Sequence, residues 1–360
     1  MGKRSVIPFG PQHPVLPEPI HLDLVVEDEK VVQAIPNIGF IHRGLEKLVQ
    51  KRDFTDYGYV VERICGICSY IHGMSYYEVI EHIMGIEIPE RAKFLRTIWG
   101  EMSRVHSHLL WLGLMADGFG FEALFYQCWR LREKVLDMFE ASTGGRVVFS
   151  VNTIGGVLKD MDSGMLKSFV DIFQDMDKEI HKCCDIFLKD YTVETRMKDV
   201  GILTKEKATL LGAVGPTLRG SGIASDTRLK YSYGAYDKLD FEPCVANEGD
   251  SFARCAVRIQ ELYQSIDLIR QAVDKIPAGD FRVPYKGKPD GEFMFRAEQP
   301  RGEAIYYGKG NGTGHLERFR IRTPTFANIT PLLEILAGCQ LADVPILVLT
   351  IDPCISCTER

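Results

Sequence analysis

The sequence predicts an α+β fold, a single large, mostly helical domain with small antiparallel β elements near both ends. Three observations lead there. Residues 20–26 place apolar side chains at every second position, long stretches in the middle repeat them every three or four, and short alternating runs return after Pro277. With 360 residues, 45% of them apolar and 26% charged, the chain can bury a full core. No internal repeat or low-complexity linker divides it. It reads as an N-terminal β segment (about 5–40), a helical core (about 41–277) and a C-terminal β/α segment (about 278–360).

Ile20, Leu22, Leu24 and Val26 alternate with His21, Asp23 and Val25, and the charged run 27–30 turns the chain into Val31 and Val32, a hairpin pattern. The pattern over 41–85 is helical, interrupted by glycines. The clearest helix covers 90–116. Leu95, Ile98, Met102, Val105, Leu109, Leu112 and Met115 form its stripe, with Arg91, Lys93, Arg96, Glu101 and Arg104 on other faces. Further helices fit 122–141, 159–189 and Ser251–Lys275. After Pro277, strands fit 292–296, 303–307 and 316–323. Residues 308–314 lack the lysine of a phosphate loop and read as a hairpin loop. Arg318, Arg320 and Arg322 share one strand face, expected to face solvent. A last helix over 331–342 leads into an apolar strand over 345–351.

Charge and hydropathy exclude several classes. There are 43 Lys and Arg against 49 Asp and Glu, a net charge of −6, which lacks the basic footprint of a nucleic-acid binder. The longest apolar runs, 109–116 and 344–351, are too short to span a membrane, and the opening residues carry no signal-peptide stretch. The chain is expected to be soluble and to stay inside the cell.

Ten cysteines are present, and four of them pair. Cys65 and Cys68 stand in Glu62-Arg-Ile-Cys-Gly-Ile-Cys, and Cys354 and Cys357 in Asp352-Pro-Cys-Ile-Ser-Cys. A Cys-x-x-Cys step turns two sulfurs to one side, so two such pairs make a four-thiolate site. Structural zinc pairs close lobes of about 15–20 residues, whereas nearly the whole chain separates these. The spacing therefore favours a functional metal centre, with structural zinc or unrelated thiols as the alternatives. Cys128, Cys183, Cys184, Cys244, Cys255 and Cys339 form no cluster-binding run, so no iron–sulfur cluster is expected in this chain, and electrons from a redox centre would leave through another subunit. His106 and His108, two apart on a helix, face away from each other and read as core or interface histidines.

Arg63-Ile-Cys65-Gly-Ile-Cys68 followed by His72, with Asp352-Pro-Cys354-Ile-Ser-Cys357-Thr-Glu-Arg360, resembles the paired signatures of nickel–iron hydrogenase large subunits. Gly10-Pro-Gln-His-Pro14, His42-Arg-Gly-Leu-Glu46, Gly215-Pro-Thr-Leu-Arg-Gly-Ser-Gly222 and Gln299-Pro-Arg-Gly302 extend the likeness along the chain. The first and third also resemble the large quinone-site subunit of respiratory complex I, a relative without the metal. Both sets together resemble the membrane-bound, energy-converting (group 4) hydrogenases, the Ech type most of all.

The resemblance implies a nickel–iron-hydrogenase-like fold and a nickel–iron centre with one carbon monoxide and two cyanides on iron. Cys65 and Cys354 would bind nickel alone, and Cys68 and Cys357 would bridge the metals. Two negative charges then remain uncompensated in a buried site, which calls for nearby cations. Arg301 matches the arginine over the open metal face, and Thr325 the hydroxyl that bonds a cyanide. Glu18, between Pro17 and Pro19, matches the first proton-relay glutamate, which takes the proton from the Cys354 sulfur during heterolysis of hydrogen. Many relatives carry a histidine at the Arg360 position that helps hold magnesium with a glutamate at the Glu46 position. Arg360 cannot ligate a cation, so Glu46 is expected to pair with it, which puts that magnesium in doubt. The implied partners are a small iron–sulfur subunit, further ferredoxin-like and membrane-embedded subunits, and ferredoxin. The implied place is peripheral, at the cytoplasmic face of the cell membrane. A complex I-like scaffold without catalysis, or a group 4 hydrogenase coupled to carbon monoxide or formate oxidation, are the rival readings.

Overall fold

A computed structural model describes residues 4–16 and 18–360; Pro17, one of the two prolines expected to stiffen the Glu18 segment, lies outside the described residues. Numbering the principal elements only, β1 (Arg4–Phe9), β2 (His21–Glu27) and β3 (Lys30–Asn37) form an antiparallel sheet. The helices α1 (Ser69–Met84), α2 (Glu90–Gly118), α3 (Glu122–Thr143), α4 (Ser163–Lys189) and α5 (Ser251–Lys275) build the core. A second antiparallel sheet, β4 (Asp290–Gln299), β5 (Gly302–Asn311) and β6 (Arg318–Arg322), packs on α1. The chain closes with α6 (Pro324–Leu336), α7 (Val344–Thr350) and α8 (Ile355–Glu359).

The expected α+β arrangement is what the chain adopts, and its two ends meet. Leu22, Leu24, Val26 and Val31 on the inner face of the first sheet pack against Ile329, Leu332, Ile335 and Leu336 of α6 and Val344, Leu347 and Val348 of α7. Three backbone hydrogen bonds lace this seam, among them Val31 N to Cys339 O at 2.9 Å and Gly338 N to Val31 O at 2.7 Å. Aspartates cap two of the long helices, α4 and α5, with Asp162 accepting from Met165 N at 2.8 Å and Asp250 from Ala253 N at 2.7 Å, worth about 1 kcal/mol each.

Four expectations need correction. The run 345–351 is not a strand: α7 covers Val344–Thr350, because a short apolar run without periodicity suits a buried helix as well as a strand. The helix placed at 331–342 begins instead at Pro324, where proline suits the first helical position, and it ends at Leu336. The glycine-rich segment 308–314 is half strand, since β5 runs on to Asn311. And α2 has no charged outer face in its middle: Arg96, Glu101 and Arg104 are buried. Arg96 bonds Glu78 and Glu81 of α1, at 2.9 and 2.8 Å. Glu101 takes Arg228, far along the chain, at 3.1 Å and its own helix neighbour Arg104 at 3.3 Å, so each charge is compensated by a partner. Of the three arginines on β6, Arg320 pairs with Glu46 at 2.9 Å and Arg322 with Glu303.

Glu62 ends the helix Tyr57–Glu62 just before the first cysteine pair, and its carboxylate accepts from Ser150 N at 3.0 Å and Ser150 Oγ at 2.8 Å. Burial pushes its carboxyl up to about 7. A carboxyl raised on folding holds its proton more tightly in the folded state. Its contribution to stability is therefore full below its unfolded value and lost as pH rises through about 7. Replacing Glu62 by glutamine should remove that slope. The variant should gain on the wild type between pH 5 and pH 8 by on the order of 1–3 kcal/mol, measured by urea unfolding. A gap independent of pH would contradict this.

Candidate metal centre

Both Cys-x-x-Cys segments are tight turns at helix starts. Cys68 precedes α1, and Cys354 precedes α8. In each, the first sulfur accepts from the turn's own amides: Ile67 N and Cys68 N to Cys65 Sγ at 3.2 and 3.4 Å, and Cys357 N to Cys354 Sγ at 3.4 Å. The turns face each other. The sulfurs of Cys65, Cys68 and Cys357 lie within 4.8 Å of one another, and Cys354 Sγ is 3.2 Å from Cys65 Sγ. All four residues are at most 3% exposed. Hydrogen bonds from Cys354, Cys357 and Cys68 hold the Cys65 thiol well below its ordinary value, while burial pushes the Cys357 thiol up. Four converging sulfurs that cannot all ionise alone are the donor set that a thiophilic cation completes.

The motif around His42 braces this set. Arg43 donates from Nη1 to Arg63 O at 2.9 Å and from Nη2 to Ile64 O at 2.6 Å, on the approach to Cys65. His42 bonds the Glu359 carbonyl, and Glu359 takes the amides of Gly39 and Ile41 at 2.7 and 2.5 Å. Glu46 accepts from Arg360 Nε at 2.9 Å, the pairing expected from the sequence, and from Ile321 N at 2.9 Å. Against its burial, the bonds from Arg360, Ile321 and Arg320 hold the Glu46 carboxyl below the ordinary range. His106 donates from Nε2 to Ile67 O at 3.2 Å and accepts from Arg132 at Nδ1, while His108 faces Glu261 at 3.1 Å. The two serve as core histidines, the first pinning the Cys65 turn.

Arg301 stands at the tip of the β4–β5 hairpin, in the two-residue turn between paired Gln299 and Gly302. Gly302 has φ +128°, Gly215 has φ +64°, and a Cβ on either would strike the other's backbone, so this glycine contact seats the 215–222 turn on the arginine's base. The guanidinium donates from Nε to Asp352 O at 2.7 Å, from Nη2 to Asp352 Oδ1 at 2.8 Å, and from Nη1 to Cys68 Sγ at 3.3 Å. Burial works against its charge, and Asp352 with the nearby sulfurs outweighs it. Asp352 adopts the left-handed conformation, φ +53°, that turns its carboxylate toward Arg301.

Glu18 reaches the same corner from the loop before β2. Its Oε2 accepts from Ile355 N and from Ser356 N, the latter at 3.1 Å, and its Oε1 accepts from Ser356 Oγ at 2.7 Å. The carboxylate thus borders Cys354. Thr325, buried in the first turn of α6, accepts from Cys354 N at 3.1 Å, so its oxygen braces the cysteine's backbone. Sequence reasoning gave no role to Asp352, His72, Tyr306 or Gln299. His72 stood in the quoted motif but without a partner; it lies 3.3 Å from Cys357 Sγ.

Comparison with known proteins agrees with this geometry. The family described as nickel-dependent hydrogenase matches residues 43–115, and the family described as respiratory-chain NADH dehydrogenase, 49 Kd subunit, matches residues 118–288 and 283–360. The chain is 38% identical to the membrane-bound hydrogenase subunit alpha of Pyrococcus furiosus, over 98% of this chain and 87% of that one. It is also 38% identical to the carbon monoxide-induced hydrogenase of Rhodospirillum rubrum, over 98% and 99%. Among solved structures it resembles a chain of the membrane-bound sulfane sulfur reductase, an archaeal respiratory membrane complex, with TM-score 0.95 and 31% identity over 99% and 98% of the two chains.

Proposed function

The chain belongs to the family that joins nickel-dependent hydrogenases with the 49 kDa subunit of respiratory-chain NADH dehydrogenase, and from that premise we propose that it is the hydrogen-activating subunit of a membrane-associated, energy-converting hydrogenase. The observation that carries this reading is the convergence of four buried cysteine sulfurs, with Arg301 on Cys68 and Glu18 beside Cys354.

Cys65, Cys68, Cys354 and Cys357 would hold a nickel–iron pair. That pair, with carbon monoxide and two cyanides on iron, supplies the Lewis-acid and redox chemistry for reversible heterolysis of hydrogen when bound. The residues of the chain do the rest. Burial of the four cysteines excludes bulk water. Arg301 holds positive charge over Cys68 in an orientation set by Asp352. Cys354 takes the released proton at Sγ, and the Glu18 carboxylate receives it and carries it outward. Arg360 occupies Glu46, which would otherwise be available to a magnesium ion.

Electrons would pass to an adjacent small iron–sulfur subunit and on to ferredoxin. Further ferredoxin-like and membrane-embedded subunits would couple that flow to ion translocation. No helix among the described residues is long and apolar enough to cross a membrane. In this reading the chain sits peripherally, at the cytoplasmic face. Metal analysis and an infrared spectrum of the anaerobically matured complex test the reading. About one nickel per chain with sharp carbonyl and cyanide bands is expected. Zinc alone, with no such bands, would overturn it in favour of the scaffold.

A further inference from the structure

His72, Tyr306 and Gln299 form a buried chain that ends on a cysteine sulfur, each of the three residues at 0% exposure. His72 Nε2 lies 3.3 Å from Cys357 Sγ, and His72 Nδ1 lies 2.9 Å from the Tyr306 hydroxyl. Gln299 donates from Nε2 to that hydroxyl at 2.8 Å. We propose that Tyr306, held by Gln299, is a positioning residue for the metal centre: it holds the His72 ring in the orientation from which Nε2 donates to the Cys357 sulfur. The inference rests on the reading of the four cysteines as metal thiolates and adds residues to it.

Two ends of the chain impose the same polarity. A thiolate bound to metal has no proton to give, so Cys357 can only accept and His72 Nε2 must carry the hydrogen. A neutral imidazole then has a bare Nδ1, which accepts, so Tyr306 must donate to it. The Tyr306 oxygen is left to accept, and the Gln299 amide supplies the donor. Removing the hydroxyl takes away the anchor at Nδ1, so the ring can turn and its Nε2 hydrogen bond to Cys357 weakens, which leaves that sulfur more electron-rich. The placement also explains why one hairpin carries both ends of the device. Its turn sets Arg301 on Cys68, and the adjoining Gln299 acts through Tyr306 and His72 on Cys357, so the two sulfurs proposed to bridge the metals are tuned from one rigid tip.

The test uses the full chain loaded with zinc, in which the sulfurs are thiolates whatever metal the cell supplies, and labelled with ¹⁵N-histidine. Nitrogen NMR, with His72→Gln to assign the signal, is expected to show a protonated Nε2 and a bare Nδ1. Tyr306→Phe should keep that tautomer, since the thiolate still only accepts, but move both ring nitrogen signals as Nδ1 loses its donor and the Nε2 hydrogen bond to sulfur weakens. A proton on Nδ1 in the wild type, or an unmoved Nε2 signal in Tyr306→Phe, overturns the proposal. In the matured enzyme Tyr306→Phe should displace the carbonyl band and slow turnover several-fold. Tyr307→Phe, whose hydroxyl bonds Glu292 on the outer face, should do neither. An unmoved band in Tyr306→Phe also overturns the proposal. Absence of any carbonyl band from the matured wild type would overturn the nickel–iron reading alone, because the tautomer is read on zinc.

Discussion

Replacing Arg301 by lysine is expected to lower hydrogen turnover by about 100-fold while leaving nickel and iron in place, as removal of one preorganised donor does elsewhere. The reason lies in how the guanidinium is used. Two of its donors bind the carbonyl and the carboxylate of Asp352, and a third points at Cys68 Sγ. The position of the charge over the sulfur is therefore fixed by a fork anchored at its other edge. A lysine keeps the charge, which the electron-rich centre needs for metal retention, but a single ammonium cannot clamp Asp352 and reach Cys68 at once. Arg301→Met should go further and lower the metal content as well, because the buried negative charge loses its neighbour. Turnover in deuterium exchange, metal analysis and the infrared bands separate the two cases. Full activity with lysine at position 301 would show that charge alone suffices and that the fork has no role.

The convergence of the cysteine pairs and the Glu46–Arg360 pair was legible in the sequence because motif and residue chemistry pointed the same way, and the resemblance singled out Arg301 and Glu18, which lie beside Cys68 and Cys354. The rest of the site was not, for definite reasons. Asp352 sits in a quoted signature, yet only its left-handed backbone and the hairpin opposite reveal its partner. Tyr306 looks like any aromatic on the buried face of a strand, between Ala304 and Gly308. Its link to His72 spans 234 residues, a distance no local pattern reports. The buried charges of α2 were misread for a related reason. Arg96, Glu101 and Arg104 follow a spacing that suits an exposed face, and they become core residues because Glu81, Arg228 and the carbonyls of Glu298 and Gln299 close over them. Element type was readable wherever a long period persisted, as in Ser251–Lys275, and failed in the short apolar run that became α7.

Replacing Glu18 by glutamine should separate proton delivery from folding. The carboxylate now accepts from the amides of Ile355 and Ser356 through Oε2 and from the Ser356 hydroxyl through Oε1. A glutamine carbonyl can accept from both amides, and its NH₂ can donate to the Ser356 hydroxyl, which serves as donor or acceptor. The turn that presents Cys354 should therefore keep its shape, and metal content and infrared bands should match the wild type. What glutamine cannot do is take a proton at neutral pH. If Glu18 carries the proton away from Cys354, turnover should fall by about 100-fold or more, the range lost when a positioned acid–base group is removed. Aspartate at the same position retains the acid but sets it one methylene short, so it should recover part of the rate. Alanine would remove the capping bonds along with the acid and should lower both rate and metal content. Wild-type turnover in Glu18→Gln would mean that the carboxylate is only a brace for the α8 start, and would send the proton route elsewhere. A loss confined to turnover, with the spectrum unchanged and partial recovery by aspartate, is the result a relay requires and a brace does not produce.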